Sequence, residues 1–417
     1  MHLPFRSLSV LLVLMVCAAS TVARGDDYPA LLGPHLHEQN GVTIEYIYTG
    51  EVFSNTRGGL STRDATNYRG LFEMVVTADL DEIGLPPGGT LFVYGQNGHG
   101  RGITEDFVGD MQTLSNIDAP EFTQISEYWW QRGMLDELVT VRLGKQDCNA
   151  EFAIVDLGGD FVNSSFGFAP TIPMPTYPDP SMAVVTFFQL TEQTVFKAGV
   201  WDGRPNGQNW GFSNDGKAFS IFEFKREHEL GGALYGDVHV GIWYHGDEFD
   251  DVTPVAGLGG LGGGFGGIGL QNLRARRGVS GGPGALAAGD VYQGAHGVYF
   301  GFDQMLLVED EEQGLGTFFQ YGWAQEDRWP IEQYFGTGLV YKGLIRNRDE
   351  DVIGLGVAHA IFSDYLPDTT DETAIELFYK APLTPWATIQ PDFQYIASPS
   401  GNTRDAVVFG LRFEVVL

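Results

Sequence analysis

The last fourteen residues of the chain, RDAVVFGLRFEVVL, alternate in hydrophobicity up to the final position. Apolar side chains occupy every odd position from Val407 to Leu417, and the even positions include Gly410, Arg412 and Glu414. Successive side chains of a β-strand point to opposite faces, so this period of two predicts a strand with one apolar and one water-facing side. Such a strand fits a barrel wall between lipid and water, and it also fits one sheet of a soluble sandwich.

Similar alternating segments recur along almost the whole sequence. Sixteen or seventeen candidates can be counted, and many have the ~9–11 residues that a tilted membrane strand needs. Clear examples are residues 42–49, 72–80, 139–143, 237–245, 319–323, 375–380 and 388–395. Their number, their aromatic ends and a last strand that could close the ring favour an all-β, antiparallel transmembrane barrel over a sandwich, because closure leaves no unpaired strand edge in lipid.

The N-terminus has the organisation of an export signal. Arg6 supplies a positive charge, residues 8–19 are apolar, and Thr21-Val22-Ala23 resembles a small-residue cleavage site. We therefore expect residues 1–23 to be a signal peptide and residues 24–417 to form a single barrel domain. No other apolar run approaches the ~20 residues of a spanning helix, which argues against a helical membrane protein.

The chain is strongly acidic, with 54 acidic against 24 basic residues. This balance argues against a nucleic-acid partner, because binding nucleic acid requires a basic surface. Many of the acids cluster at residues 247–251, 309–312 and 349–351. Runs of this kind are typical of solvated loops, and bridging of divalent cations at a cell surface is the alternative.

The sequence offers little for catalysis. The glycine-rich residues 252–290 contain a formal G-x-G-x-x-G pattern at Gly257, Gly259 and Gly262. A dinucleotide site would need a following helix and an acidic residue about 20 positions on, whereas further glycine follows here, so we interpret this segment as a surface loop. Without an H-E-x-x-H or C-x-x-C motif, we predict no catalytic residue, metal ligand or cofactor, and hence no enzyme.

Charged side chains at the water-facing positions would point into the lumen of a barrel. They include Arg142, then Glu223 and Lys225 in one segment, and Arg412 and Glu414 in the last. Rings of such groups set the electric field in a pore and supply hydrogen bonds to a solute. The simpler alternative is that they only keep the lumen hydrated and paired in salt bridges.

Residues 138–178 read LVTVRLGKQDCNAEFAIVDLGGDFVNSSFGFAPTIPMPTYP. This block resembles the central block of the carbohydrate-selective porins of the OprB family. The matching elements are residues 142–145 (RLGK), Asp147, Asn149, Phe152, residues 161–167 (FVNSSFG), Pro173 and Tyr177-Pro178. Weaker similarities on both sides extend the resemblance over most of the chain.

The resemblance implies a monomeric, sixteen-stranded barrel in the bacterial outer membrane, with loops folded inward. It further implies passive, facilitated diffusion of small carbohydrates, especially glucose-like monosaccharides, without a cofactor. Within the matched block, it implies contact with the solute for Arg142, Lys145, Asp147, Asn149 and Asn163. By strict alternation Lys145 would face outward, so the pleat must break near Gly144 if this side chain is to reach the lumen.

Three other functions remain compatible with the sequence. The net charge of −30 motivates a general or cation-preferring diffusion porin without sugar selectivity. A surface barrel that transports nothing and a hydrolase embedded in a barrel are the other two alternatives.

Overall fold

Sixteen antiparallel strands close into one barrel in the computed structural model, which describes residues 41–213, 217–250, 291–310, 313–366 and 368–417. Each strand pairs with its sequence neighbours, and β16 pairs with β1 to complete the ring. The strands are β1 (Val42–Arg57), β2 (Thr66–Asp79), β3 (Thr90–Gly100), β4 (Phe122–Met134), β5 (Val139–Gln146), β6 (Ser181–Thr191), β7 (Thr194–Asp202), β8 (Ala218–Leu230), β9 (Leu234–Asp250), β10 (Val291–Asp310), β11 (Gln313–Ala324), β12 (Ile331–Lys342), β13 (Val352–Phe362), β14 (Asp371–Thr384), β15 (Ala387–Ala397) and β16 (Ala406–Val416). The predicted barrel is confirmed, whereas the predicted signal peptide and the glycine-rich segment 252–290 lie outside the described residues.

The two ends of the barrel differ in the length of their connections. Tight turns at residues 135–138, 192–193, 231–233 and 385–386 join strands at one end. At the other end, longer segments such as residues 101–121 and 147–180 join them. In outer-membrane barrels the short turns face the periplasm and the longer loops face outward, so this asymmetry orients the molecule.

Alternation along the strands separates an apolar outside from a polar or packed inside. On β9, Val240, Ile242 and Tyr244 are each about half exposed, whereas His239 and His245, which flank this run, are buried. The same outward exposure holds for other large apolar side chains around the ring, including Phe72, Leu143, Val200, Phe222, Leu339, Leu355, Leu377 and Phe409. A continuous apolar outer band of this kind faces hydrocarbon in a bilayer.

Helical structure in the described residues is confined to short turns. These are Leu80–Ile83, Thr104–Val108, Asp156–Gly158, Ser164–Phe166 and Pro399–Gly401. None of the helices described is long and apolar enough to cross a membrane. The turn at Thr104–Val108 ends at Gly109, whose φ of +82° only glycine adopts readily.

The segment 147–180, here called the inner loop, leaves the wall after β5 and folds into the barrel. Its Phe161 ring lies 4.4 Å from the ring of Phe166, 4.9 Å from that of Phe378 on β14 and 5.5 Å from that of Phe318 on β11. All four side chains are almost fully buried. The apolar core therefore lies inside the barrel, between the inner loop and the strands on one side.

Small residues on the inner face of β13 make room for these rings. Gly354, Gly356, Ala358 and Ala360 all face inward and are buried. A Cβ added at Gly356 would lie 2.6 Å from the Phe161 ring and 2.7 Å from the Phe166 ring. The inner loop thus packs directly against the strand backbone, where a larger side chain would exclude it.

Candidate functional site

A cavity of about 360 Å³ remains open on the other side of the inner loop. Strands β1–β4 and β14–β16 form its wall side, and Asp147, Gly159, Asp160, Tyr177 and Pro180 form its loop side. The polar wall residues that line it are Thr49, Glu73, Tyr94, Gln96, Ser126, Glu127, Lys380, Thr388, Gln390, Arg412 and Glu414. Most of the side chains that border this cavity are therefore polar or charged.

A row of polar side chains crosses four adjacent strands at one level of this wall. The register places Gln390 opposite Arg412, Arg412 opposite Glu51, and Glu51 opposite Arg69. Arg412 Nε lies 2.6 Å from Glu51 Oε1, and the Arg69 guanidinium lies 2.5 Å from Asp118. These pairs hold the arginine side chains in fixed positions along the wall.

The second cation of the lining joins the wall to the inner loop. Lys380 Nζ on β14 lies 2.7 Å from Asp160 Oδ1. The neighbouring Gln390 donates from Nε2 to the carbonyl oxygen of Asp160, also at 2.7 Å. Two wall strands therefore fix the loop at the point where it borders the cavity.

Carboxylates of the wall hold the loops by accepting hydrogen bonds from backbone N–H groups. Glu376 on β14 accepts from Val162 at 2.6 Å and from Asn163 at 2.9 Å. The other such contacts run from Ala153 to Glu223, from Asp156 and Leu157 to Asp303, and from Met111 and Gln112 to Glu372, all at 2.8–3.0 Å. Much of the acidic charge inside the barrel thus serves to fix loop backbone.

Asp147 lies where the inner loop begins and is fixed by backbone contacts. Its carboxylate accepts from the N–H groups of Asn149 at 2.7 Å and Tyr177 at 2.9 Å, and its own N–H donates to Glu127 at 3.0 Å. Burial raises the pKa of the Asp147 carboxyl, although these hydrogen bonds oppose the shift. Asp147 therefore fixes the backbone of the inner loop in addition to placing a carboxyl group on the cavity lining.

Of the nine residues predicted from the sequence, the structure brings Asp147, Arg412 and Glu414 together on the cavity lining. Arg142 lies elsewhere, 4.1 Å from the centre of the Trp129 ring and 2.7 Å from Glu151 of the inner loop. Its guanidinium thus links wall and loop rather than bordering the open space.

Lys145 is almost fully buried and is not on the cavity lining. Gly144, before it, has a φ of +141°, and a Cβ there would lie 2.2 Å from the carbonyl oxygen of Tyr128. The Lys145 ammonium donates to the carbonyl oxygens of Ile125, at 2.8 Å, and Gly207. The resemblance placed this lysine near solute, whereas the structure uses it to tie a loop to the wall.

The remaining four predicted residues also lie off the lining and support the inner loop. Asn163 donates to Gln394 on β15 at 3.1 Å, and Asn149 donates to the carbonyl oxygen of Phe152 at 3.2 Å. Glu223 pairs with Lys197 at 2.8 Å. Lys225 lies 3.3 Å from Asp237 and 3.7 Å from Asp156.

Several lining residues were not singled out as site candidates from the sequence, notably Glu73, Gln96, Glu127 and Gln390. Alternation assigns Glu73 and Gln390 to the inner face, but many other residues share that property. Which of them border the cavity depends on the side of the barrel that the inner loop fills, and alternation carries no information about that side.

Comparison with known proteins agrees with this architecture. The family model described as "Carbohydrate-selective porin, OprB family" matches residues 63–417. Porin B of Pseudomonas aeruginosa is 22% identical over 91% of this chain and 88% of that protein. The putative porin QuiX of Acinetobacter baylyi is 20% identical over 90% of this chain and 89% of that protein.

Among solved structures, OprB of Pseudomonas putida at high pH superposes with a TM-score of 0.76 and 21% identity. The alignment covers 91% of this chain and 94% of that one. The low-pH structure of the same protein gives a TM-score of 0.56 over 91% and 93% of the two chains, with 18% identity. At these identities the superpositions establish the shared barrel fold.

Proposed function

Because this chain belongs to the OprB family of carbohydrate-selective porins, we propose that the cavity between its inner loop and strands β14–β16 and β1–β4 is the route by which sugar crosses the barrel. The protein is a carbohydrate porin of the bacterial outer membrane, and its family is one of channels rather than enzymes. The observation that carries the proposal is the position of the cavity, since the inner loop fills the other side of the lumen.

The lining suits a neutral, hydroxylated solute. Sugar hydroxyls both donate and accept hydrogen bonds, and this wall offers amides at Gln96 and Gln390 and hydroxyls at Thr49, Ser126 and Thr388. Such groups replace part of the hydration shell of the solute without binding it so tightly that it cannot leave. Glucose-like monosaccharides then pass down their own gradient, and no cofactor or energy source takes part.

The lining of the cavity is supplied by one chain, which supports a monomeric porin. Each described lining residue comes from the barrel wall, from the inner loop or, for Asn116 and Ile117, from the segment that joins β3 to β4. We further propose that residues 1–23 direct export and are removed, since they precede a barrel that must reach the outer membrane.

Liposome swelling tests the proposed route. Vesicles containing the folded protein should swell in isotonic glucose, and glucose should reduce single-channel current in a planar bilayer. Thr49→Trp places a large side chain in the cavity and should abolish both effects. The matched control Thr77→Trp lies on the inner face of β2, outside the lining, and should keep them. Swelling that survives Thr49→Trp in inserted protein would place the route elsewhere.

A general diffusion porin is the competing function, and the same recordings separate the two. A general pore admits sugars by size alone and shows no current block that saturates with sugar concentration. Saturable block by glucose that weakens when lining amides are removed supports selective passage.

A further inference from the structure

Charges on the cavity lining are unequal in number. Five carboxylates border the cavity but only two cations do. The carboxylates are Glu73, Glu127, Asp147, Asp160 and Glu414, and the cations are Lys380 and Arg412. The excess of carboxylates gives the cavity a negative electric field only if each cation is already paired with an anion. The partners of Lys380 and Arg412 therefore determine the field that a solute meets.

Both cations already have an anionic partner. Lys380 is paired with Asp160 at 2.7 Å. Arg412 is paired with Glu51, whose side chain is 1% exposed, and its Nη2 donates to the Asn116 side chain at 2.6 Å. Since each positive charge is matched at close range, little of it extends into the open space.

Of these five carboxylates, Asp160 alone makes an ion pair with a described residue, and Glu73 and Glu414 are the two others that lie away from the start of the inner loop. Glu73 accepts from the Tyr94 hydroxyl and, at 3.3 Å, from the Gln96 amide, both of which are neutral. Glu414 makes no hydrogen bond or ion pair with any residue in the described part of the chain. Both side chains are partly exposed. Glu127 and Asp147 contribute less to the negative field of the cavity. They lie at the start of the inner loop, where the Asp147 N–H donates to the Glu127 carboxylate.

We infer that this passage favours sugars that carry a positive charge, such as amino sugars, over neutral and anionic sugars of the same size, and that Glu73 and Glu414 set this preference. The inference rests on the proposed route. A narrow passage with low-dielectric walls concentrates the field of unpaired charges, which raises the local concentration of a solute of opposite sign. The lining hydroxyls and amides still meet the sugar ring, so the preference adds to passage of neutral sugar and does not replace it.

Swelling rates with three sugars of similar size test the preference directly. At about pH 7, where most of the amine of glucosamine is protonated and more of the Glu73 carboxyl is ionised than in acid, vesicles should admit glucosamine about five times faster than glucose and glucuronate more slowly than either. The double variant E73Q/E414Q should lower the ratio of glucosamine to glucose towards one.

The matched control is E45Q/E227Q. It also removes two carboxylates from the inner face of the wall, but neither residue lines the cavity. The ratio of glucosamine to glucose should stay native in this variant. A fall equal to that of E73Q/E414Q would overturn the assignment, because overall charge would then explain the effect.

A measurement on the native protein keeps the inference testable even if a variant does not fold. In a potassium chloride gradient across a planar bilayer, the zero-current potential should show cation preference, and the preference should weaken as the pH falls towards about 4 and carboxylates are protonated. Equal entry of all three sugars with no cation preference would refute the inference while leaving the sugar route intact. Absence of glucose entry would instead refute the route itself.

Discussion

Two sides of one barrel interior are built from the same alternating strands but are filled differently. On the side of β11–β14, the inner loop buries Phe161 and Phe166 against the wall, and the space is packed. On the side of β14–β16 and β1–β4, amides, hydroxyls and charges face open space. Strand pairing alone gives a wide cylinder, so the side chosen by the loop decides where water and solute can pass.

On each side, the size of the inward side chains fits what lies against them, which is the inner loop on one side and the cavity on the other. Small residues such as Gly354 and Gly356 face the packed side, where a Cβ would meet an aromatic ring. Long polar residues such as Glu73 and Gln390 face the open side. The position of the passage therefore follows from side-chain size along the inner wall.

Loss of the two buried phenylalanine rings of the inner loop should have the largest effect. Phe161→Ala together with Phe166→Ala removes two buried rings, each worth about 3–5 kcal/mol in a packed core. The inner loop should then detach from the barrel wall, and the single-channel conductance should rise several-fold. Sugar should no longer block the current. Phe409→Ala on the lipid-facing side of β16 is the control and should leave conductance unchanged. Native conductance in the double variant would show that the rings do not hold the loop.

Removal of one anchoring carboxylate should have the next largest effect. Glu376→Ala leaves two buried N–H groups, of Val162 and Asn163, without an acceptor, at a cost of about 1–3 kcal/mol each. Amide hydrogen exchange at these two positions should accelerate, and the current should become noisier. Glu376→Gln keeps one acceptor oxygen and should give an intermediate rate. Equal protection in all three proteins would contradict the role of Glu376 as an anchor.

A change to the row of charged side chains that crosses β16, β1 and β2 should have a moderate effect. Arg412→Gln leaves Glu51 with Arg69 as its remaining cation, 3.6 Å away, and should cost about 2 kcal/mol while making the passage more cation-preferring. Glu51→Gln in the same chain removes the carboxylate that has lost one of its two cations and should restore most of the stability. Zero-current potentials and urea unfolding of the single and double variants measure both effects, and additive losses would argue against a coupled pair.

Loss of a single hydroxyl from the open side should have the smallest effect. Thr388→Val removes one hydrogen-bonding group from the lining at a cost of at most about 1 kcal/mol to a bound sugar. The glucose concentration that halves the current should rise a few-fold, with conductance nearly unchanged. Thr77→Val on the inner face of β2 is the matched control. A shift of equal size in both variants would mean that the lining does not contact sugar at this point.

Much of the fold could be predicted from the sequence because alternation is a local property. The last strand illustrates this, since the even positions Arg412 and Glu414 do face the interior and Phe409 does face outward. Local alternation allowed sixteen or seventeen strands, and the resemblance in residues 138–178 supplied the value of sixteen and the inward-folded loop. Closure of the ring between β1 and β16 then follows from the requirement that no strand edge remains unpaired in lipid.

The site was less predictable because it depends on contacts between residues far apart in the sequence. Asp147 and Lys145 are neighbours in the matched block, yet one borders the cavity and the other is buried between backbone carbonyls. Nothing in the spacing of these residues distinguishes them. A usable indication was present in the inward glycines of β13, which show where large groups from elsewhere must fit, but their partners become known only in three dimensions.

The anchors of the inner loop also have a consequence for the order of assembly. The loop contacts Glu223 across 70 residues, Asp303 across 147 and Glu376 across 214. Contacts between such distant segments form late, because the intervening chain must first be brought together. Because the acceptors lie on β8, β10 and β14, we expect the loop to reach its final position only after these strands have joined the wall, and the passage to become selective at that stage.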